Sequence, residues 1–141
     1  MIQSMLKNTK TIRAKNAVSA AQTTQTATFS RAGFNGAFIT VLFGTLTSTT
    51  APVITVKSGA QSNGGDATAI TGATVSVTDA DSNKVALVDV PEIPDGDEYI
   101  TVEVTRPTAN AVLDGIVAQL YNPRTMPTTQ DTTVLGSALA A

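Results

Sequence analysis

The side chains that most often carry out catalysis are missing from this sequence. Its 141 residues include no His and no Cys, which are the usual general base near neutral pH and the most nucleophilic ordinary side chain. The hydroxyl groups of Ser30 and Thr105 therefore have no histidine to activate them. The preferred ligands of zinc are missing as well. We expect a protein that is not an enzyme and that has no catalytic residue, metal or cofactor.

Two acidic segments have residue types that could bind a cation or catalyse hydrolysis. Residues 79–83 (DADSN) begin like a calcium-binding loop, but Lys84 stands where that loop needs Gly and Val90 where it needs Glu. Residues 95–98 (DGDE) place three carboxylates on one short loop, whereas catalytic carboxylates usually come from separate elements that face a cleft. We interpret both segments as surface turns with local hydrogen bonds.

The candidate binding residues are basic and lie near the two ends of the sequence. They are Lys7, Lys10, Arg13, Lys15 and Arg124. Such residues can contact a phosphate backbone, but no aromatic side chains are interleaved with them to stack on bases. We therefore expect them to contact a protein partner, with no direct binding of nucleic acid.

Charge is distributed unevenly along the sequence, although the net charge is only −2. Six of the nine basic residues precede residue 66, and all eleven acidic residues lie at or after it. Two explanations are open. The folded chain could interleave its halves and cancel the field, or a basic N-terminal arm could dock on an acidic surface of a sister subunit or another partner.

The elements that must position these residues are predicted to be β-strands, because Thr and Val are abundant and fit a pleated, half-buried surface. Residues 37–46 are apolar on both faces, which predicts a central strand that is covered on both sides. Residues 111–121 also fit helical spacing, but Gly115 favours a strand with a bulge at that position. Further strands are predicted at residues 24–29, 53–57, 74–78, 84–90 and 99–105, with 74–78 and 84–90 forming a hairpin.

About eight short strands separated by turns indicate an all-β fold, an antiparallel β-sandwich of jelly-roll type. We place the sandwich at residues 22–122. An extended N-terminal arm with a short helix would occupy residues 1–21, and a C-terminal arm residues 123–141. No run of 18 apolar residues is present, so we expect no membrane contact. The first residues lack the apolar segment of a secretory signal.

Several segments together resemble a family of small tailed-bacteriophage proteins whose genes lie near the major capsid gene. These segments are residues 5–10 (MLKNTK), 33–38 (GFNGAF), 78–90 (TDADSNKVALVDV), 110–118 (NAVLDGIVA), 121–124 (YNPR) and 127–128 (PT). The resemblance runs nearly from end to end. One segment departs from the family pattern, which has basic residues before the tyrosine, because residues 91–98 here are acidic.

The resemblance implies a structural protein of the virion, which decorates and cements the exterior of a phage head. It also implies a jelly-roll sandwich whose arms reach the major capsid protein and neighbouring copies. We expect a homotrimer first and a dimer second, present in the host cytoplasm during assembly. Two alternatives are a tail, neck or fibre-associated sandwich and a carbohydrate-binding module, although the latter usually needs more aromatic residues.

Overall fold

The computed structural model describes residues 4–140 as an almost entirely β protein. A short helix and nine strands follow one another along this part of the chain. They are α1 (Met5–Asn8), β1 (Lys10–Lys15), β2 (Val18–Ala21), β3 (Gln25–Ser30), β4 (Phe34–Leu46), β5 (Val53–Gly59), β6 (Thr68–Ser76), β7 (Val85–Val90), β8 (Tyr99–Thr105) and β9 (Ala111–Pro123). A single 3-10 turn at Asp79–Asp81 separates β6 from β7. No helix in this part of the chain is long and apolar enough to cross a membrane.

The strands form two antiparallel sheets that pack face to face. Sheet A has the order β1-β9-β4-β7, with β2 also paired to β9, and sheet B has the order β3-β8-β5-β6. If β1 and β2 are counted as one interrupted strand, each sheet has four strands, as in a jelly roll. The predicted all-β, jelly-roll-like sandwich is confirmed.

The core lies between the sheets and is built from alternate residues of each strand. In β4, Ala37, Ile39 and Val41 are completely buried, and in β8, Ile100 and Val104 are too. Because successive strand residues point to opposite faces, the residues between them lie on the outer faces of the sandwich. The outer faces are therefore the surfaces on which binding residues can be presented.

The N-terminal segment differs from the predicted arm over residues 10–21. These residues form β1 and β2, which both pair with β9. Ile12 explains the difference, because its side chain is 7% exposed and joins the core cluster. The predicted short helix is present as α1. Residues 1–3 and 141, which the predicted arms included, lie outside the described residues.

The predicted hairpin of residues 74–78 and 84–90 also differs from the structure. β6 pairs with β5 in sheet B, whereas β7 pairs with β4 in sheet A. The connection between them therefore crosses from one sheet to the other. The 3-10 turn makes this crossing compact, since the Asp81 carboxylate accepts hydrogen bonds from the Thr78 backbone N–H (3.0 Å) and hydroxyl (3.3 Å).

The segment after β9 lies along the free edge of β1. The side-chain oxygen of Gln130 accepts a hydrogen bond from the Thr11 N–H (2.8 Å), and the Thr133 hydroxyl accepts one from the Arg13 N–H (2.9 Å). These side chains satisfy backbone donors that an unpaired edge strand would leave open. Much of the predicted C-terminal arm is thus folded onto its own chain, and within the described residues those after 134 project from it.

Candidate functional site

The outer face of sheet A carries an apolar surface. Phe38 and Leu42 of β4 are half-buried there, as is Val117 of β9. On the neighbouring edge strand β7, Val85 is 54% and Leu87 is 53% exposed. The strand register places these side chains in adjacent rows, since Leu42 lies opposite Val85 and Thr40 lies between Leu87 and Val117. We call these five apolar residues the sheet A patch.

The outer face of sheet B is polar by contrast. Lys57 of β5 and Glu103 of β8 form an ion pair at 3.0 Å, and the Thr28 and Thr101 hydroxyls lie 2.9 Å apart. Sandwich proteins commonly have polar outer faces on both sheets, since both are solvated. The apolar character of one outer face alone is typical of a surface that another protein covers.

An aromatic residue connects three strands at the end of this face. Tyr121 of β9 lies opposite Gly36 of β4, and its ring occupies the space that a Cβ at Gly36 would need. The Tyr121 hydroxyl donates a hydrogen bond of 2.5 Å to Asp89 of β7. Desolvation, then the hydrogen bond and the negative charge of Asp89, raise the pKa of Tyr121 to about 12.

This contact predicts a loss of stability at high pH. A folded-state pKa near 12, against an ordinary value of 10, means that Tyr121 contributes stability below pH 10 that is lost as pH rises through 12. Because Tyr99 is the only other tyrosine, absorbance titration at 295 nm of the Tyr99→Phe variant reports Tyr121 alone. Adding Asp89→Asn should lower that pKa towards 10. An apparent pKa near 10 before Asp89 is changed would contradict the geometry.

The five basic residues predicted to bind a partner lie in different places. Arg13 of β1 is exposed in a shallow groove of about 340 Å³ beside the sheet A patch. Lys15 borders the same groove, but its ammonium donates a hydrogen bond of 3.2 Å to the Thr26 carbonyl oxygen of sheet B. Lys10 lies 4.0 Å from Asp131, and Lys7 is exposed in the last turn of α1. Arg124 is exposed beyond β9, with its Nε 3.4 Å from Asn35 Oδ1. Of these five residues, Arg13 is the one whose side chain lies at the patch.

The two acidic segments are used for local structure. In the first, Asp81 accepts the hydrogen bonds described above, which lower its pKa, and lies 3.6 Å from Lys84. In the second, Asp97 accepts a hydrogen bond of 2.7 Å from the Ser58 hydroxyl. Across residues 4–140 no three acidic side chains gather as a cation site.

The two halves of the sequence interleave in the folded chain. The ion pairs Lys10–Asp131 and Lys57–Glu103 each join a basic residue of the first half to an acidic residue of the second. These two contacts agree with the explanation in which the folded chain interleaves its basic and acidic halves. They do not require a separate basic arm.

Two buried arginines were not recognised as structural residues from the sequence. Arg31 and Arg106 are each 1% exposed. Arg31 donates hydrogen bonds to the carbonyl oxygens of Phe34, Pro94 and Asp97. Arg106 donates in the same way to the carbonyl oxygens of Ser19 in β2, Thr23 in the β2–β3 link and Ala111 at the start of β9. A charged side chain beside a strand end gives no sequence signal of burial, so these two could not have been found by pattern.

The two tyrosines do not form a common platform for a sugar. Tyr121 lies on the outer face of sheet A, whereas Tyr99 begins β8 in sheet B and alternates with the buried Ile100. Sugar-binding modules commonly use neighbouring aromatic rings. The arrangement of these residues therefore gives the carbohydrate-binding alternative no particular support.

No family model and no curated protein matches the chain. Some solved structures are similar to it at low identity. A GH26-CBM35 β-(1,4)-mannanase of Podospora anserina is 10% identical with a TM-score of 0.47, over 84% of this chain and 29% of that one. An exo-β-1,3-galactanase of Phanerochaete chrysosporium is 15% identical, with a TM-score of 0.40, over 79% and 29%. A family two carbohydrate esterase of Cellvibrio japonicus is 11% identical, with a TM-score of 0.36, over 86% and 36%.

Proposed function

We propose that this protein is a structural component of a tailed-phage virion that decorates and stabilises the capsid exterior. In this role it binds the major capsid protein through the sheet A patch and contacts neighbouring copies, as a trimer or a dimer. It acts by adhesion between subunits and transforms no molecule. The resemblance of several sequence segments to phage head proteins supports the choice of partner.

The observation that carries the proposal is the contrast between the two outer faces. Five apolar residues lie on one outer face between β9 and the edge strand β7, among Thr40, Asp89 and Gln119, while threonines and an ion pair lie on the other. Burying an apolar surface between proteins removes it from water and contributes roughly 25 cal/mol per Å² before the costs of association. Arg13 at one side of the patch favours a shell surface with an acidic group opposite it.

The test replaces one residue of the patch. We expect Leu87→Lys to weaken binding to assembled shells about tenfold or more, because a buried aliphatic contact is replaced by a charge that loses its water. The chain and the capsid gene that neighbours it would be expressed together, and the shell-bound fraction measured after sedimentation. A point substitution is needed because deleting residues 1–20 would remove β1 and most of β2.

The matched control is Thr26→Lys, which places the same charge on β3, the exposed edge strand of sheet B. Lysine is well tolerated on edge strands, so both variants should keep the melting temperature of the parent. Equal shell binding by Leu87→Lys and the parent, with both folded, would refute the role of the patch.

A further inference from the structure

The chain projects an apolar segment beyond its last internal contacts. The N–H of Val134 donates to the carbonyl oxygen of Asp131 (3.0 Å), and within the described chain residues 135–140 make no hydrogen bond of their own. Leu135 is 106% exposed and Leu139 is 58% exposed. Residues 132–140 carry no charged side chain. We call residues 135–140 the tail.

An apolar groove opens where the two sheets end side by side. It lies between β6, the edge strand of sheet B, and β7, the edge strand of sheet A, and has a volume of about 180 Å³. Its apolar lining is Phe43, Val75, Val77, Val85 and Ala86.

The rim of the groove carries no net charge, because Asp81 and Lys84 lie 3.6 Å apart there and neutralise each other. A cavity of roughly 150 Å³ with apolar walls can hold a molecule the size of benzene. A leucine side chain is no larger. The groove therefore fits one leucine of an uncharged peptide.

The edge of β7 offers the hydrogen bonds that such a peptide needs. β7 pairs with β4 on one side only, and the structure records no strand on its other side in the described chain. Extended peptides commonly bind by adding a strand to such an edge, with alternate side chains in pockets. In an extended tail Leu135, Ser137 and Leu139 share one face, since the side-chain period is two.

We propose that the tail of one copy adds as a strand to the β7 edge of a second copy, with Leu135 in the groove between β6 and β7. The tail leaves its own chain beside β1, at the opposite edge of sheet A from β7. Three strand spacings, roughly 14 Å, separate those edges. A contact that joins opposite edges of two copies is head-to-tail and closes into a ring when its rotation permits.

Cysteine crosslinking tests the contact directly, because the parent chain has no Cys. Ser76→Cys places a thiol on the groove, where Ser76 is exposed, and Leu135→Cys places one on the tail. The two single variants would be purified with tags of different mass, mixed and oxidised. We expect a disulfide-linked heterodimer. A Thr26→Cys variant mixed with Leu135→Cys should give no disulfide-linked heterodimer, since β3 lies at another edge.

Two further variants connect the crosslink to the leucines. Leu135→Asp with Leu139→Asp should lower the average mass of the pure protein in sedimentation velocity to that of a monomer, while Ala138→Asp, on the other face of the tail, should leave it unchanged. The inference does not rest on shell binding, because both measurements use the purified chain alone. The proposed contact would be overturned if oxidation of the mixed single variants gave no disulfide-linked heterodimer. It would also be overturned if a single chain that carries both Ser76→Cys and Leu135→Cys formed an internal disulfide.

Discussion

Replacing Arg106 by methionine is expected to lower the free energy of unfolding by about 3 kcal/mol, because three backbone carbonyl oxygens lose this donor and one of them, that of Ala111, is buried. The guanidinium donates hydrogen bonds to the carbonyls of Ser19 (3.0 Å), Thr23 (2.8 Å) and Ala111 (2.7 Å). It therefore ties the link between β2 and β3 to the start of β9. Burial lowers the pKa of Arg106. Methionine fills much of the same volume but supplies no donor.

The measurement is urea denaturation followed by circular dichroism. Arg13→Met is the matched control, since Arg13 is exposed on β1 and such changes usually stay within about 0.5 kcal/mol. Arg106→Lys should lie between the two, because one ammonium cannot reproduce the forked geometry. Equal losses in the free energy of unfolding for Arg106→Met and Arg13→Met would show that the hydrogen bonds of the Arg106 guanidinium do not stabilise the fold.

Replacing Gly115 by alanine is expected to cost about 2 kcal/mol of stability, since a residue forced into a sparsely populated conformation loses roughly 1–3 kcal/mol. Gly115 has a φ of +147°, and an added Cβ would lie 3.1 Å from the Lys15 carbonyl oxygen. The pairing shifts there, because Leu42 lies opposite Gly115 and Phe43 opposite Leu113. Gly115→Val should cost more, because its branched Cβ is harder to accommodate.

Gly136→Ala serves as the control, because a Cβ at Gly136 would meet nothing within 4 Å. Its midpoint of thermal unfolding should equal that of the parent, whereas Gly115→Ala should melt several degrees lower. A Gly115→Ala protein as stable as the parent would show that the bulge does not require glycine.

Periodicity in the sequence predicted most of the sandwich. β8 alternates Ile100, Val102 and Val104 with polar residues, and all three are buried. Gly115 was expected to mark a bulge or a tight bend in β9, and the register shift shows that it marks a bulge. β1 was missed because Ile12 is its only large apolar residue among basic and small neighbours. The hairpin prediction failed because local spacing cannot tell whether two strands join the same sheet.

The sequence indicated only part of the sheet A patch. Phe38 and Leu42 indicated that β4 has an apolar second face, and both are half-buried on the outside of sheet A. Their neighbours could not be deduced, because β4 meets β7 and β9 through pairings between residues far apart in sequence. A register error of one residue would turn Leu87 and Val117 to the other face. The basic residues were found easily but lie in separate places.

We propose that the chain adheres to other subunits through the outer face of sheet A. Cryo-electron microscopy of purified particles from a phage that encodes this chain tests it most directly. We expect density for the sandwich on the capsid exterior, with Phe38, Leu87 and Val117 against the shell. Particles that lack the chain, or that carry it with this face turned to solvent, would contradict the proposed role in capsid binding.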